Sequence, residues 1–466
     1  MRRPRLSTLW LALILCVLVV AGGARISSGE GERPKNIIII LADGVAATQW
    51  EFGRYSRAVL KGEPFVTADF FRSEAIGLLI SSPHGAYVTD SAAAGSAMAT
   101  GFKTENGVLS VTPDGKSPIT VMEAAKAAGK RIGLITTSTV YDATPAAFSI
   151  HSKSRRDSQT LVDLFLAFEP DVLMGGGAEY FLPKARGGKR KDDKDVVADF
   201  RSKGWKVVRS TGELKTAAGA RLLGLFADGD MDFDMEREPA KQPTMAEMTA
   251  AALRTLSQEN PHGFVLLVES ENTDVAGHGN DAAMLMRSLW AVDDAVKVAM
   301  DFRRTSPETL LIVAGDHETG GFSPTYALKD LSSLSSSNRL YVGEAHIRML
   351  EKINISFKTA AEMLGPNPSE ETLDSLLANH FQGFQLDPDL RQMILEQRPL
   401  ERNTTYVVPN LLGRMVARQT GLYWGTSGHT TEPVLVGAAG PGANLFRGLR
   451  DNTDFGRSLL RLLEPK

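Results

Sequence analysis

The chain has 466 residues, 43% of them apolar and 23% charged, the composition of a soluble globular protein rather than a disordered one. It is long enough for one elaborated domain or two. A formal charge of −3 argues against a nucleic-acid binder whose affinity rests on neutralising phosphates.

At the N-terminus, Arg2, Arg3 and Arg5 precede an apolar stretch from Leu9 to Ala21 and then Ala21-Gly22-Gly23-Ala24. This is the pattern of a secretory signal peptide, so residues 1–24 are expected to be a signal and 25–466 the working domain. Export to a periplasm or the extracellular space follows. The apolar core is short for a stable membrane span, and an uncleaved anchor stays open. The single cysteine, Cys16, lies inside this segment, and Leu15 before it is too bulky for a typical lipoprotein site. Cleavage after Ala24 would leave no disulfide and no thiolate chemistry.

Beyond it, short apolar runs alternate with helical patterns. That rhythm predicts an α/β fold with a large, mostly parallel sheet and helices on both faces. Strands are expected at 36–42, 75–80, 131–136, 171–174, 222–226, 263–269, 309–314 and 433–437. The clearest helix is 281–302, where Leu285, Leu289, Val292, Val296 and Ala299 share one face. The basic run GGKRKDDKD at 187–195 carries its own aspartates and reads as a solvated loop. From about 322 to 424 the rhythm breaks. A Ser-rich tract, LSSLSSSN, leads into helical stretches interrupted by Pro366 and Pro368, expected as an insertion or cap beside the main sheet. Glycosylation sequons start at Asn354 and Asn403, a pattern short enough to occur by chance.

The polar residues of interest gather where strands end, which is where open α/β sheets bind ligands. Asp43 follows IIIILA, Glu269 ends FVLLV, and Asp316-His317 follow LLIVAG. Thr89-Asp90-Ser91-Ala92 sits in the small-residue run YVTDSAAAGSAMATG. Read alone, Asp90-Ser91 is a helix cap, although a serine at a helix N-terminus also suits an anion. Glu269 through His278 puts two named carboxylates, Glu269 and Asp274, and an imidazole into ten residues; read alone it is a polar loop capping the next helix. Asp316-His317 read alone is a strand-end turn, and His429 a structural histidine. Four such turns would all have to carry Asp, Glu or His by accident, in a chain with eight histidines. Histidine and carboxylate ligands without cysteine suit zinc, and all-oxygen ligation suits magnesium.

Leu41-Ala42-Asp43-Gly44, the Thr89–Ala92 tetrad, Asp142-Ala143-Thr144-Pro145-Ala146, Glu269…Asp274…His278, Asp316-His317 and His429 occur in the order found in alkaline phosphatases, which the chain resembles over most of 25–466, roughly Asn36–Phe322 and Trp424–Leu463. The resemblance implies Ser91 as the nucleophile that becomes phosphoserine. It implies Asp43, Asp316 and His317 around the zinc next to Ser91, and Asp274, His278 and His429 around a second. It implies Asp43, Thr144 and Glu269 around a magnesium, so that Asp43 bridges two metals. Arg155, eleven residues after Thr144 in HSKSRRD, matches the arginine that grips phosphate, with Arg156 as its rival. Asp142 and the apolar Val275, where relatives often carry a phosphate-contacting residue, leave the identity of the third metal open.

The implied activity is hydrolysis of phosphate monoesters with an alkaline optimum, and a homodimer is compatible with the resemblance. A diesterase or sulfatase-like relative and a non-enzymatic phosphate- or metal-binding protein are the competing readings. The second needs the ligand set to be degenerate, and it is complete. His84 and His151 read as loop packing, and Tyr423 and Trp424 as core.

Overall fold

The run Asn36–Ala42 (NIIIILA) forms strand β1, buried along its whole length. Ile38 and Ile40 enter one apolar cluster, and Ile37, Ile39 and Leu41 enter another on the opposite face. Alternate residues of a strand point to opposite sides, so an unbroken apolar run is what a strand covered on both faces requires. The computed structural model describes residues 33–219, 221–327, 341–401 and 405–464. The expected signal segment, the Ser-rich tract and the sequon at Asn403 lie outside them.

The remaining strands are β2 (Ala75–Ile80), β3 (Arg131–Thr139), β4 (Val172–Gly176), β5 (Lys206–Val208), β6 (Leu222–Leu225), β7 (Phe264–Ser270) and β8 (Thr309–Ala314), then the short β9 (Glu318–Thr319), β10 (Phe322–Pro324), β11 (Leu422–Trp424) and β12 (His429–Thr430), and finally β13 (Val434–Ala439) and β14 (Gly448–Asp451). Ten of them form one sheet in the order β14-β2-β13-β8-β1-β7-β3-β4-β6-β5. Only β13 runs antiparallel to its neighbours within it. This is the mostly parallel α/β sheet that the alternating rhythm predicts. Strands β5 and β14 were not among the expected ones. Each is held by a single neighbour, β6 or β2, and is too short to show a period.

Helices cover both faces. The Ala282–Thr305 helix is capped by Asp281, which accepts the Met284 N–H at 2.9 Å, and its Leu285, Leu289, Val292, Val296 and Ala299 join the first cluster. The Ser91–Thr100 helix is buried on every side. Its alanines and glycine permit this, since a Cβ on Gly95 would sit 3.2 Å from the Ala147 Cβ. Between β10 and β11 lie helices Glu344–Met349, Phe357–Leu364, Glu370–His380, Pro388–Leu395 and Val407–Thr420, with no strand of the main sheet among the described residues. Ile347, Phe357, Leu373 and Leu411 from this segment share the first cluster, and Asp281 Oδ2 accepts the Phe357 N–H at 2.7 Å. Among the described residues no helix is long and apolar enough to cross a membrane. The basic run is not wholly solvated. Arg190 is fully buried, with its guanidinium held by Asp163, Asp192 and the Tyr180 carbonyl.

Candidate active site

The sheet register brings the sequence-distant candidates together. Leu41 of β1 pairs with Glu269 of β7 on one side and Ala314 of β8 on the other, and Thr136 of β3 also pairs with Glu269. Asp43, Asp316 and His317 follow just beyond these rungs, at the carboxyl ends of parallel strands. His429 arrives by a second route: β12 pairs with β9, setting His429 opposite Thr319, two residues after His317. Gly44 turns out of β1 at φ 74°, and a Cβ there would lie 2.8 Å from Thr319 Oγ1 and 2.9 Å from Asp274 Oδ1. Only glycine fits that turn.

Two clusters of histidine and aspartate result. In the inner one, His317 Nε2 faces Asp43 Oδ1 at 3.2 Å, Asp316 Oδ2 at 3.4 Å and Ser91 Oγ at 3.1 Å. In the outer one, His278 Nε2 lies 3.1 Å from Asp274 Oδ2 and 3.1 Å from His429 Nε2. Their other ring nitrogens are committed to backbone carbonyls, His278 Nδ1 to Ser427 at 2.7 Å and His429 Nδ1 to Thr89 at 2.7 Å. Such outer bonds fix which nitrogen looks inward. The rings of His317 and His429 stack with centroids 3.8 Å apart, so the two clusters adjoin.

A third, acidic group joins Asp43, Glu269 and Glu271. Thr144 stands beside it, near enough to the Glu269 carboxylate to favour its charged form. Asp142 caps the Ala143–Ser149 helix through the Ala143 N–H at 2.7 Å and accepts from Ser138 Oγ at 3.0 Å. Arg155 reaches in from the far side, with Nη2 3.0 Å from Asp142 Oδ1 and Nη1 3.4 Å from Asp90 Oδ2. Asp90 also caps the Ser91–Thr100 helix, accepting the Ala93 N–H at 2.9 Å. Arg156 is exposed, and lines the same cavity of about 660 Å³ with Asp90, Asn106, Lys153 and Arg155. Of the two rivals, Arg155 is therefore the one held at Ser91's helix. Val275 is half-buried against the first apolar cluster. His151 bonds the Ser110 carbonyl and Glu123.

Charge is crowded here. Burial, and then Asp316 and Glu271, push Asp43 well above the usual carboxylate range. Burial, and then Asp142, push Glu269 up to about 8; burial and Asp274 push Asp316 up to about 7. Asp274 goes the other way: burial opposes its charge, but His278 holds it well below the usual range. Burial opposes the His278 cation too, yet Asp274 brings it up to about 9. His317 is held well below the usual imidazole range by burial and then by His429.

These features test the fit of metal ions. Both Asp43 oxygens, Asp316 Oδ2, Glu269 Oε2 and Thr144 Oγ1 are buried without a hydrogen bond of acceptable geometry. Buried acceptors in that state call for a cation. Nitrogen and oxygen donors in the two histidine clusters suit zinc, and the all-oxygen group suits a harder dication. A Ser–His–Asp triad is disfavoured. Its carboxylate belongs on the ring nitrogen away from serine, whereas here His317 Nδ1 meets Thr319 Oγ1 at 3.3 Å and both carboxylates crowd Nε2.

All ten residues implied by the sequence resemblance thus border one site. Sequence reasoning missed Glu271, the bond from Asp90 to Arg155, and Tyr406, whose ring stacks on His278 at 5.2 Å and 15°. Glu271 had a signal: it follows Glu269 by two, and alternate residues at a strand end leave on one side.

The family model described as Alkaline phosphatase matches residues 34–464. Alkaline phosphatase 3 of Bacillus subtilis is 28% identical, over 94% of this chain and 90% of that protein. The repressible alkaline phosphatase of Saccharomyces cerevisiae is 30% identical, over 97% and 85%. The crystal structure of Thermus thermophilus alkaline phosphatase superposes with a TM-score of 0.83 at 31% identity, covering 92% of this chain and 91% of that one.

Proposed function

The chain belongs to the alkaline phosphatase family and is a phosphoric monoester hydrolase, and on that premise we propose that it cleaves phosphate monoesters through a phosphoserine at Ser91. The observation that carries this reading is the position of Ser91 Oγ, 3.1 Å from the same His317 nitrogen that faces Asp43 and Asp316. A weak nucleophile and a full ligand set share one point.

Ser91 Oγ gives up its proton and attacks phosphorus while the bond from phosphorus to the leaving oxygen breaks, and the departing oxygen takes up a proton from water to leave as the alcohol. Water then attacks the phosphoserine, returning the serine hydroxyl and releasing inorganic phosphate. Arg155 grips two non-bridging oxygens through its planar fork, which a lysine could not match. Asp90 and Asp142 hold that fork in place. The N-terminus of the ten-residue Ser91–Thr100 helix adds its positive end to the same spot.

The family is metal-dependent. Asp43, Asp316 and His317 would hold one zinc, Asp274, His278 and His429 a second, and Asp43, Thr144 and Glu269 a magnesium. Bound there, the ions neutralise the phosphate charge and lower the pKa of serine and water, which fits an alkaline optimum. Asp43, pushed well above the usual carboxylate range by burial and its acidic neighbours, would be ionised once such charge is supplied. We assign 1–24 as an export signal and 322–424 as a cap, which supplies none of the ten residues implied by the resemblance but sets Tyr406 against His278.

Acid-quenching the enzyme during turnover of 4-nitrophenyl phosphate, followed by peptide mass spectrometry, should find phosphate on Ser91. The diester bis(4-nitrophenyl) phosphate should react far more slowly. A Ser91→Ala enzyme with undiminished monoesterase activity would overturn the reading.

A further inference from the structure

The acidic group contains one carboxylate more than the sequence resemblance implies. Asp43, Thr144 and Glu269 are joined by Glu271, and one oxygen from each of Asp43, Glu269 and Glu271 lies within 4.8 Å of the others. The approach is fixed by the backbone. Thr137 Oγ1 accepts the N–H of Glu271 at 3.0 Å and of Asn272 at 3.3 Å, pinning the turn from β7 into the Asn272–His278 helix. Glu271 is only half-buried, while Asp43, Thr144 and Glu269 are each 1% exposed.

Proximity alone would make this a cluster of acids. The second observation is the set of orphaned atoms aimed into it. Both Asp43 oxygens, Glu269 Oε2 and Thr144 Oγ1 are buried and receive no hydrogen bond. Oxygens about 2.1 Å from a magnesium ion lie about 3.0 Å apart when adjacent and about 4.2 Å apart when opposite. The three carboxylate oxygens, within 4.8 Å of one another, are close to that spacing, and small side-chain movements would bring them onto it.

We propose that Glu271 is a direct ligand of the third metal site, completing a shell of three carboxylates and one hydroxyl around a hard dication. This rests on the reading above that Asp43, Thr144 and Glu269 hold such an ion. Three anionic oxygens and no nitrogen favour magnesium or manganese over zinc. Glu271 is also near enough to Arg155 to stabilise its charge, together with Asp142, against the cost of burial. The competing role is a through-space partner of Arg155 with no bond to the ion.

The test uses full-length protein depleted of metal and reloaded with zinc. It is titrated with Mg2+ by calorimetry and with Mn2+ by electron paramagnetic resonance. Wild type should take up one further dication. Glu271→Gln should weaken its affinity at least about tenfold, the lower end of losses seen on removing mere outer-shell partners. Glu271→Asp, which keeps the charge but withdraws the carboxylate by one methylene, should weaken it comparably. Zinc content should be unchanged in both variants. Wild-type Mg2+ and Mn2+ affinity in both variants overturns the proposal. So does a weak Glu271→Gln beside an unaffected Glu271→Asp, since charge alone would then suffice. Failure of wild type to bind any dication after zinc would instead remove the third metal from the reading above, and Glu271's role with it.

Discussion

The inner and outer histidine clusters use the same side chains in different surroundings. Asp43, Asp316 and His317 are at most 1% exposed, whereas the side chains of His278 and His429 are 20% and 12% exposed. Burial holds His317 well below the usual imidazole range, but Asp274 brings the more open His278 up to about 9. The inner cluster sits against the nucleophile in a closed wall. The outer one is partly open to solvent. On the proposed reading, the same ligand chemistry would hold an ion more tightly in the inner cluster than in the outer one.

Removing the group the inner cluster serves should cost most. Ser91→Ala should lower kcat on the order of 10⁴- to 10⁶-fold, as loss of other covalent nucleophiles does, in steady-state assays at saturating zinc. An effect of only a few fold would separate Ser91 from the inner cluster's purpose. Next comes the contrast between clusters. His317→Ala should lose more than about 100-fold in activity, beyond what outer-shell partners cost, without recovery at high zinc. His429→Ala should lose less and recover as zinc is raised. Equal, unrecoverable losses would erase the distinction.

A thermal effect follows from His278. Its folded pKa, about 9, lies above the 6.5 of a free imidazole. In the metal-free protein its pairing with Asp274 therefore stabilises fully below pH 6.5, and that stability is lost as pH rises towards 9. The melting temperature of metal-free protein should fall across this window, while the increment gained on adding zinc grows, because zinc then displaces no proton. A zinc increment independent of pH would contradict the pairing. The smallest effect concerns Tyr406, stacked on His278. Aromatic pairs contribute about 0.5–1.5 kcal/mol, so Tyr406→Ala should weaken outer-site zinc binding about 2- to 10-fold and leave the inner site alone. Zinc titration of the variant, read by calorimetry, checks this.

Much of this was legible in the sequence. The apolar runs 36–42 and 309–314 form strands over those residues, because a two-sided core demands unbroken Ile, Leu and Val; 75–80 is also a strand, although Ile76, Leu78 and Ile80 are exposed on one face. The site residues were legible because a parallel sheet delivers strand ends to one edge, so Asp43, Glu269 and Asp316 could be collected without knowing the register. What escaped reading depends on packing that has no period. Lys206–Val208 is a strand through pairing with β6 alone. Arg190 looked solvated among lysines, but Asp163, distant in sequence, draws it inward. Tyr406 meets His278 only through tertiary packing, and nothing in spacing announces it.

The division between the clusters and the acidic group is tested most directly by anomalous diffraction from crystals of the enzyme grown with zinc and magnesium, recorded on both sides of the zinc edge. Zinc peaks are expected within Asp43, Asp316 and His317 and within Asp274, His278 and His429, with a lighter ion that shows no zinc signal among Asp43, Glu269 and Glu271. Zinc absent from either histidine cluster, or concentrated in the acidic group, would contradict the account.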